Sequence, residues 1–143
     1  KQYEKAKENF QKAIELNEKD YISIGNLAVV QSYLKENSEA YANFNKAFYI
    51  NPDLNELKFD YAKLLENMGK YDEAAVAYQE YIEAKPSDKG AYMNLGILYQ
   101  KQNNPNYEIS VLQKGVKISD DFDIKNELEK SNFKNGEFEK AFR

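Results

Sequence analysis

The chain is rich in carboxylates, side chains that can act as acids, bases or metal ligands. Its 143 residues include neither histidine nor cysteine, so the commonest general base and the strongest nucleophile are missing. The 24 Asp and Glu residues stand in sets of mixed sign, such as Glu4, Lys7 and Glu8, which is typical of solvated helix faces. No glycine-rich phosphate loop follows a strand pattern. We therefore expect that this segment is not an enzyme.

The densest run of carboxylates, DDFDIKNELE from Asp120, has the acidic character of an EF-hand calcium loop. It lacks the central glycine that the tight turn of such a loop needs, and a helical pattern follows at once. The absence of cysteine also excludes thiolate metal sites and disulfides, and it leaves the compartment open. We predict no metal and no cofactor, and we assign no compartment, although the cytoplasm is favoured.

Two amphipathic helical patterns lie next to each other between Asn55 and Asp88. In the first, apolar residues recur three and four positions apart: Leu57, Tyr61, Leu64, Leu65 and Met68. Gly69 ends this pattern, because glycine takes a left-handed conformation at little cost. The second pattern stops at Pro86 and contains Tyr71, Ala74, Ala75, Tyr78, Tyr81 and Ile82. Neither helix can bury its apolar face alone, so the two are predicted to close as a hairpin.

The same pattern recurs every 34 residues along the chain. The slots held in the central unit by Tyr61, Ala62, Ala74, Tyr78, Tyr81 and Pro86 are held upstream by Leu27, Ala28, Ala40, Phe44, Ala47 and Pro52. Downstream they are held by Leu95, Gly96, Glu108, Leu112, Gly115 and Asp120. A period of this length with two helices per unit resembles the tetratricopeptide repeat. The segments NLGILYQ from Asn94 and YDEAAVAYQEYIEAKP from Tyr71 are the most similar to the family consensus.

The resemblance extends over essentially the whole chain, and it implies a set of repeat boundaries. Residues 1–20 would be the second helix of an incomplete repeat, and residues 21–54, 55–88 and 89–121 would be full repeats. Residues 122–143 would start a further repeat, on the evidence of Leu128, Gly136, Phe138 and Ala141. Because the chain begins and ends inside repeats and has no initiator methionine, we expect a piece of a longer protein. The implied fold is all-α, a right-handed superhelical solenoid of antiparallel helix pairs.

Several local features of these helices can also be predicted. Asp20, Ser38 and Ser87 are suitable N-caps, and Asn104-Pro105 is a good helix start because proline in the first turn loses no hydrogen bond. Glu108 occupies a slot that the other units fill with alanine, where the two helices of a unit cross closely. We expect its side chain to reach solvent, or the helix pair to open.

The charge balance and the apolar runs limit the kinds of partner. A net charge of −4 and a sequence pI near 5.0 argue against a nucleic-acid phosphate backbone. They also argue against the RNA-reading pentatricopeptide repeats, which are usually basic and have a period one residue longer. The longest apolar run, around Leu27 to Val30, is too short to span a bilayer. We predict a protein or peptide partner, no nucleic acid and no membrane insertion.

In the resembled family the first helices of the units line a concave groove that holds a peptide or a partner helix. Carried over position by position, the implied binding residues are Asn26, Val29, Tyr33, Phe59, Asp60, Lys63, Met93, Asn94, Ile97 and Lys101. Asn26 and Asn94 match the recurrent groove asparagine of the family, whose amide can both donate and accept. Asp60 takes that slot in the central unit, where Glu56 and Glu66 extend an acidic patch. The subtype that clamps the C-terminal carboxylate of chaperones fits these positions poorly.

The predicted function is the docking of an extended or helical segment of a partner protein in this groove. Two alternatives stay open. One is a self-assembling scaffold, in which copies of the chain join through their open ends and outer faces. The other is the substrate-selecting arm of an enzyme whose catalytic domain lies elsewhere in the parent chain. The apolar residues Val29, Phe59, Met93 and Ile97 also have a structural interpretation, as packing between neighbouring first helices.

Overall fold

All regular structure in the described part of the chain is helical. The computed structural model describes residues 1–141, and it describes side chains for residues 1–136. Its α-helices are α1 (Gln2–Leu16), α2 (Tyr21–Tyr33), α3 (Asn37–Ile50), α4 (Lys58–Asn67), α5 (Tyr71–Ala84), α6 (Lys89–Lys101), α7 (Pro105–Ile118) and α8 (Phe122–Ala141). A 3₁₀ turn at Asn55–Leu57 precedes α4. The predicted all-α class is confirmed.

The helices form two compact units, residues 1–77 and a second unit that begins at Tyr78, so the boundary lies inside α5. In the first unit α1 packs on α2, α2 on α3, and α3 on α4. In the second unit α6 packs on α7, and α7 on α8. The connections between these helices are short, which makes consecutive helices antiparallel neighbours.

A turn of the same geometry ends the first helix of each helix pair. Lys35, Gly69 and Asn103, each 34 residues from the next, have positive φ values of 65°, 76° and 54°. In each turn the following amide donates to the carbonyl five residues earlier, as from Glu36 to Gln31, at 2.8 to 2.9 Å. This is the Schellman arrangement, which satisfies carbonyl groups left over at a helix end. The left-handed conformation predicted for Gly69 is confirmed.

Two of the predicted helix starts are correct. A side-chain oxygen of Asp20 accepts a hydrogen bond from the amide of Ser23 at 3.1 Å, which caps α2. Asn104 accepts from the amide of Tyr107 at 3.5 Å, and Pro105 is the first residue of α7. Both caps satisfy an amide that has no partner within its own helix.

The predictions of Ser38 and Ser87 as caps are wrong. Helix α3 already begins at Asn37, with Glu36 at the N-cap, so Ser38 lies inside the first turn. The Schellman turn leaves no spare residue before α3, and the helix therefore starts directly after it. Asp88 caps α6 instead of Ser87, accepting at 3.0 Å from the amide two residues later.

The core of each unit contains the small residues that the repeat pattern predicts. In the first unit Ala28, Ala40, Phe44 and Leu64 form one buried cluster and are at most 1% exposed. In the second unit a Cβ at Gly96 would lie 2.7 Å from a methyl carbon of Leu112, so a larger residue here would require the Leu112 side chain to shift. The close crossings of the pairs therefore depend on residue size.

The prediction for Glu108 is wrong in both of its forms. The side chain is buried, at 6% exposed, and α6 and α7 remain packed on each other. The hydroxyl of Ser131 on α8 donates a hydrogen bond to the Glu108 carboxylate. A buried carboxylate needs such a donor, and this one comes from the helix that follows. A cavity of 290 Å³ adjoins the pair.

Helix α8 runs without interruption from Phe122 to Ala141. Within the described backbone, the turn that a two-helix unit would need near Gly136 is therefore not present. The side chains of Phe138 and Ala141 lie outside the described residues. The assignment of residues 122–143 to a further repeat, like the other repeat boundaries, stays a prediction.

Candidate functional site

Three of the ten predicted binding residues surround one cavity in the first unit. Tyr33 at the end of α2, and Asp60 and Lys63 on α4, line a space of 170 Å³. The remaining lining residues are Ser32, Lys35, Leu64 and Asn67. Repeat spacing aligns α2 and α4, and the turn at Lys35 closes one end of the space. The cavity therefore combines an aromatic ring, a carboxylate and two ammonium groups.

Tyr33 is held in place by a residue of α1. The rings of Tyr3 and Tyr33 stack, with centroids 5.2 Å apart and planes 13° from parallel. Tyr3 and Tyr33 are each 48% exposed, so both remain accessible to solvent. Aromatic stacking of this kind fixes ring orientation without closing the surface to a ligand.

The electrostatic feature of the cavity is the carboxylate of Asp60. Partial burial raises the pKa of Asp60 above its ordinary value of 3.8, and the nearby charge of Lys63 opposes this rise. The ammonium of Lys63 also lies over the ring of Phe59, 5.6 Å from its centroid. Because burial outweighs Lys63, the carboxylate would gain from a further cation.

The other three predicted residues of the first unit lie outside this cavity. Asn26 and Phe59 are half-buried. Val29 is half-buried and packs against the core cluster of Phe44 and Leu64. The structural interpretation of Val29 as a packing residue therefore applies to part of its surface.

In the second unit, the four predicted residues share one face of α6, which we call the α6 groove face: Met93, Asn94, Ile97 and Lys101. Their spacing of three and four residues places them along the same side of the helix. Met93 and Asn94 are half-buried, while Ile97 and Lys101 are exposed. They line neither the 290 Å³ cavity nor a second cavity of this unit, which has a volume of 520 Å³. Their role in binding stays a prediction.

Sequence reasoning did not single out the larger cavity, which has a volume of 520 Å³. It lies against α6 on the side away from the α6 groove face, between residues of α5, α6 and α7. Ile82 of α5 and Leu95 of α6 are among the residues that line it. The sequence did contain a signal for this cavity. The residues 34 positions before Ile82 and Leu95 are the larger Phe48 and Tyr61.

The described residues can also be compared with the requirements of a metal site and of a membrane span. Among them there is no group of three or more Asp, Glu, His or Cys residues placed to hold a metal ion. None of the helices formed by these residues has the length and apolar character needed to cross a membrane.

Antiparallel helix pairs, repeated every 34 residues and stabilised by recurrent Schellman turns, define an all-α helical-repeat protein. The tetratricopeptide-repeat family models match residues 1–20, 22–54 and 55–98, and the chain belongs to this family. It is accordingly a protein-interaction or scaffold module, and its partners are proteins.

A curated relative comes from a much longer protein. Human protein O-mannosyl-transferase TMTC3 is 34% identical over 122 residues, which are 82% of this chain and 13% of that protein. The chain therefore spans a small part of the length of this relative.

Solved structures of other tetratricopeptide-repeat proteins are similar to this fold. MamA from Desulfovibrio magneticus RS-1 has a TM-score of 0.85 at 18% identity, covering 97% of this chain and 79% of that one. YrrB, described as having an unusual peptide-binding site, has a TM-score of 0.78 at 25% identity, covering 90% and 66%. These likenesses confirm the predicted fold class, an all-α superhelix of helical repeats.

Proposed function

We propose that the chain binds an extended or helical segment of a partner protein on the groove faces of its first helices. These faces are those of α2 and α4 in the first unit and of α6 in the second. The observation that carries the proposal is the cavity in which Tyr33, Asp60 and Lys63 meet. A small concave space lined by charged groups, an aromatic ring and one leucine suits a single anchoring side chain.

Asp60 selects the chemistry of that anchor. Its carboxylate has lost part of its hydration, and Lys63 compensates only in part. A lysine or arginine side chain of the ligand would replace the lost water and restore a favourable environment for the charge. With Glu56 and Glu66 of the predicted acidic patch, Asp60 gives three carboxylates against the ammonium groups of Lys35 and Lys63, so the preferred segment carries a basic residue at the anchor position. The Tyr33 ring can in addition stack on a guanidinium.

The remaining groove residues would hold the backbone and the flanking side chains of the segment. The amides of Asn26 and Asn94 can each donate to and accept from a peptide main chain. Phe59 and Met93 would contact apolar side chains of the ligand. Binding by shape and a few hydrogen bonds is how extended and helical segments are recognised on such surfaces.

Peptides selected by display on the immobilised chain test this proposal. They are titrated calorimetrically into the parent and into Asp60→Asn, Phe59→Ala and Asn94→Ala variants. We expect selected peptides to contain Lys or Arg, and Asn94→Ala to weaken binding by about 1–3 kcal/mol through the loss of hydrogen bonds. The matched control is Lys46→Ala on the exposed surface of α3, which should leave affinity unchanged.

Two results would contradict the groove assignment. One is parental affinity in all three groove variants. The other is concentration-dependent growth of the chain alone in light scattering, together with binding that only outer-face changes abolish. The second result would favour the self-assembling scaffold.

A second candidate function is the substrate-selecting arm of an enzyme, because the 34% identical relative is named as an O-mannosyl-transferase. The groove would then hold an acceptor protein near a catalytic domain elsewhere in the parent chain. In the full-length parent, Asp60→Asn should raise KM for a protein acceptor and leave kcat unchanged. An unchanged KM would count against this role.

A further inference from the structure

The larger cavity of the second unit has a counterpart in the first unit that is filled by two aromatic rings. In the first unit, Phe48 and Tyr61 pack edge to face, with ring centroids 5.2 Å apart. The residues 34 positions later are Ile82 and Leu95, which are smaller and line the open 520 Å³ space. Two positions of the cavity wall therefore carry aliphatic side chains where the first unit has packed aromatic rings.

The polar group that holds the Tyr61 hydroxyl is also repeated. In the first unit, Tyr61 donates to the side-chain oxygen of Asn45 at 3.1 Å. The residue equivalent to Asn45 is Gln79, which lines the cavity. The amide nitrogen of Gln79 donates to the hydroxyl of Tyr99 at 2.6 Å. That bond leaves the amide oxygen of Gln79 available as an acceptor.

The walls of the cavity are fixed before any ligand arrives. Tyr92 donates through its hydroxyl to the carbonyl of Pro86 at 2.7 Å. The rings of Tyr99 and Tyr107 lie 5.4 Å apart, centroid to centroid, in a tilted arrangement. Walls held by hydrogen bonds and ring contacts need little ordering on binding, so a ligand loses less entropy there.

We propose that this cavity binds a tyrosine side chain presented by a partner protein. The ring would take the space that Phe48 and Tyr61 fill in the first unit, and its hydroxyl would donate to the oxygen of Gln79. The site is separate from the groove proposed above. Tyr92, Leu95 and Tyr99 point about 180° around α6 from the α6 groove face, given 3.6 residues per helical turn. The two proposals are tested with different variants and different readouts, so the failure of one does not count against the other.

The test uses the full chain and three small probes: N-acetyl-tyrosinamide, N-acetyl-phenylalaninamide and N-acetyl-leucinamide. Titration is followed by ¹H–¹⁵N NMR. The proposal requires saturable shifts at the amides of Tyr92, Leu95 and Tyr99, and none at the α6 groove face. Tyrosinamide should bind about fivefold more tightly than phenylalaninamide, the effect of one neutral hydrogen bond, and leucinamide most weakly.

Two variants check the mechanism. Ile82→Phe combined with Leu95→Tyr copies the filled site of the first unit and should abolish the saturable shifts. Gln79→Leu should retain binding of phenylalaninamide and remove the preference for tyrosinamide. Its matched control is Asn45→Leu at the equivalent position of the first unit, which should change neither affinity.

The proposal is overturned if leucinamide binds as tightly as tyrosinamide, since the cavity is then a general apolar surface. It is also overturned if the parent shows no saturable shift, or if the Ile82→Phe/Leu95→Tyr variant shows the same shifts as the parent. Should that double variant fail to fold, the comparison of Gln79→Leu with Asn45→Leu decides, because Gln79 is exposed and its replacement leaves the core intact.

Discussion

At the scale of single residues, the environment of Asp60 links ligand binding to folding. Burial raises the pKa of Asp60 above 3.8, so the folded chain holds this proton more tightly than the unfolded chain does. As pH rises through the interval between the ordinary and the raised pKa, the ionised carboxylate therefore makes the folded state less favourable. A bound cation reverses this effect, because it lowers the pKa of the same group.

Asp60→Asn should consequently weaken peptide binding without lowering the stability of the fold. We expect the variant to be at least as stable as the parent at neutral pH, and to bind a Lys- or Arg-containing peptide about 1 kcal/mol more weakly, in the range of partly exposed ion pairs. In the parent, affinity should fall as pH is lowered through the raised pKa, while the variant shows no such fall. Calorimetric titration at several pH values measures both. An identical pH dependence in the two proteins would show that Asp60 does not contact the ligand's charge.

Lys35 is a second residue whose position imposes a cost. It has a φ of 65° in a turn where the equivalent residue of the next unit is Gly69. A residue with a side chain in the left-handed region is destabilised by about 1–2 kcal/mol relative to glycine. Glycine keeps only part of this advantage, because it loses more backbone entropy on folding.

Lys35→Gly should therefore raise the free energy of unfolding by roughly 0.5–1 kcal/mol, and Gly69→Ala should lower it by about 1 kcal/mol. Lys46→Gly, inside α3, is the control and should destabilise by about 1 kcal/mol. Denaturant unfolding measures all three. A loss of stability in Lys35→Gly would mean that the lysine side chain makes compensating contacts.

At the scale of helices, the pairing of Glu108 and Ser131 couples α7 to α8. The carboxylate occupies the slot where two helices cross closely, and the hydroxyl of the third helix satisfies it. An ion pair between Lys89, at the start of α6, and Asp121, just before α8, adds a second connection at 2.5 Å. It raises the pKa of Lys89 and lowers that of Asp121, both mainly through their shared hydrogen bond. The exposed pair contributes less than the buried one, because water screens it.

A double-mutant cycle on Glu108 and Ser131 should reveal this coupling. Ser131→Ala leaves the buried Glu108 carboxylate without this donor and should cost roughly 1–3 kcal/mol. Glu108→Ala should cost less from lost hydrogen bonding, because the Ser131 hydroxyl keeps the carbonyl of Glu127 as an acceptor at 2.8 Å. The double variant removes both groups, so its loss should be smaller than the sum of the two by about 1 kcal/mol. Chemical denaturation provides the values. Strict additivity would show that the two groups do not depend on each other in solution.

At the scale of the whole molecule, stability is distributed unevenly along the chain. Helix α1 contains no buried residue, whereas α2 and α6 contain seven and six. In repeat arrays each element is stabilised by its neighbours, so an element covered on one side opens first.

Hydrogen exchange should accordingly be slowest in α2 and α6 and fastest in α1. Mass spectrometry of exchange at neutral pH gives the order directly. Stronger protection of residues 2–16 than of α2 and α6 would contradict stabilisation by sequence neighbours, and would instead indicate that α1 is covered by another copy of the chain.

The repeat sequence by itself determined the helices, the turn at Gly69 and the small residues at the crossings. These features depend on contacts between residues near in sequence, and such contacts produce a period. Gly69, Asp20 and Ala40 could therefore be assigned correctly. Helix starts were less certain, because the turn before α3 and not the side chain of Ser38 decides where that helix begins.

Only the tertiary structure decided three features: the burial of Glu108, the charge environment of Asp60 and the cavity beside Ile82 and Leu95. Glu108 can be buried because the hydroxyl of Ser131, on another helix, donates a hydrogen bond to it. Ser131 lies 23 residues away in the sequence, so no local pattern contains this partner. The raised pKa of Asp60 depends on how much water the packing of neighbouring helices removes. The cavity depends on the combined size of side chains from three helices, a quantity that the repeat period leaves free.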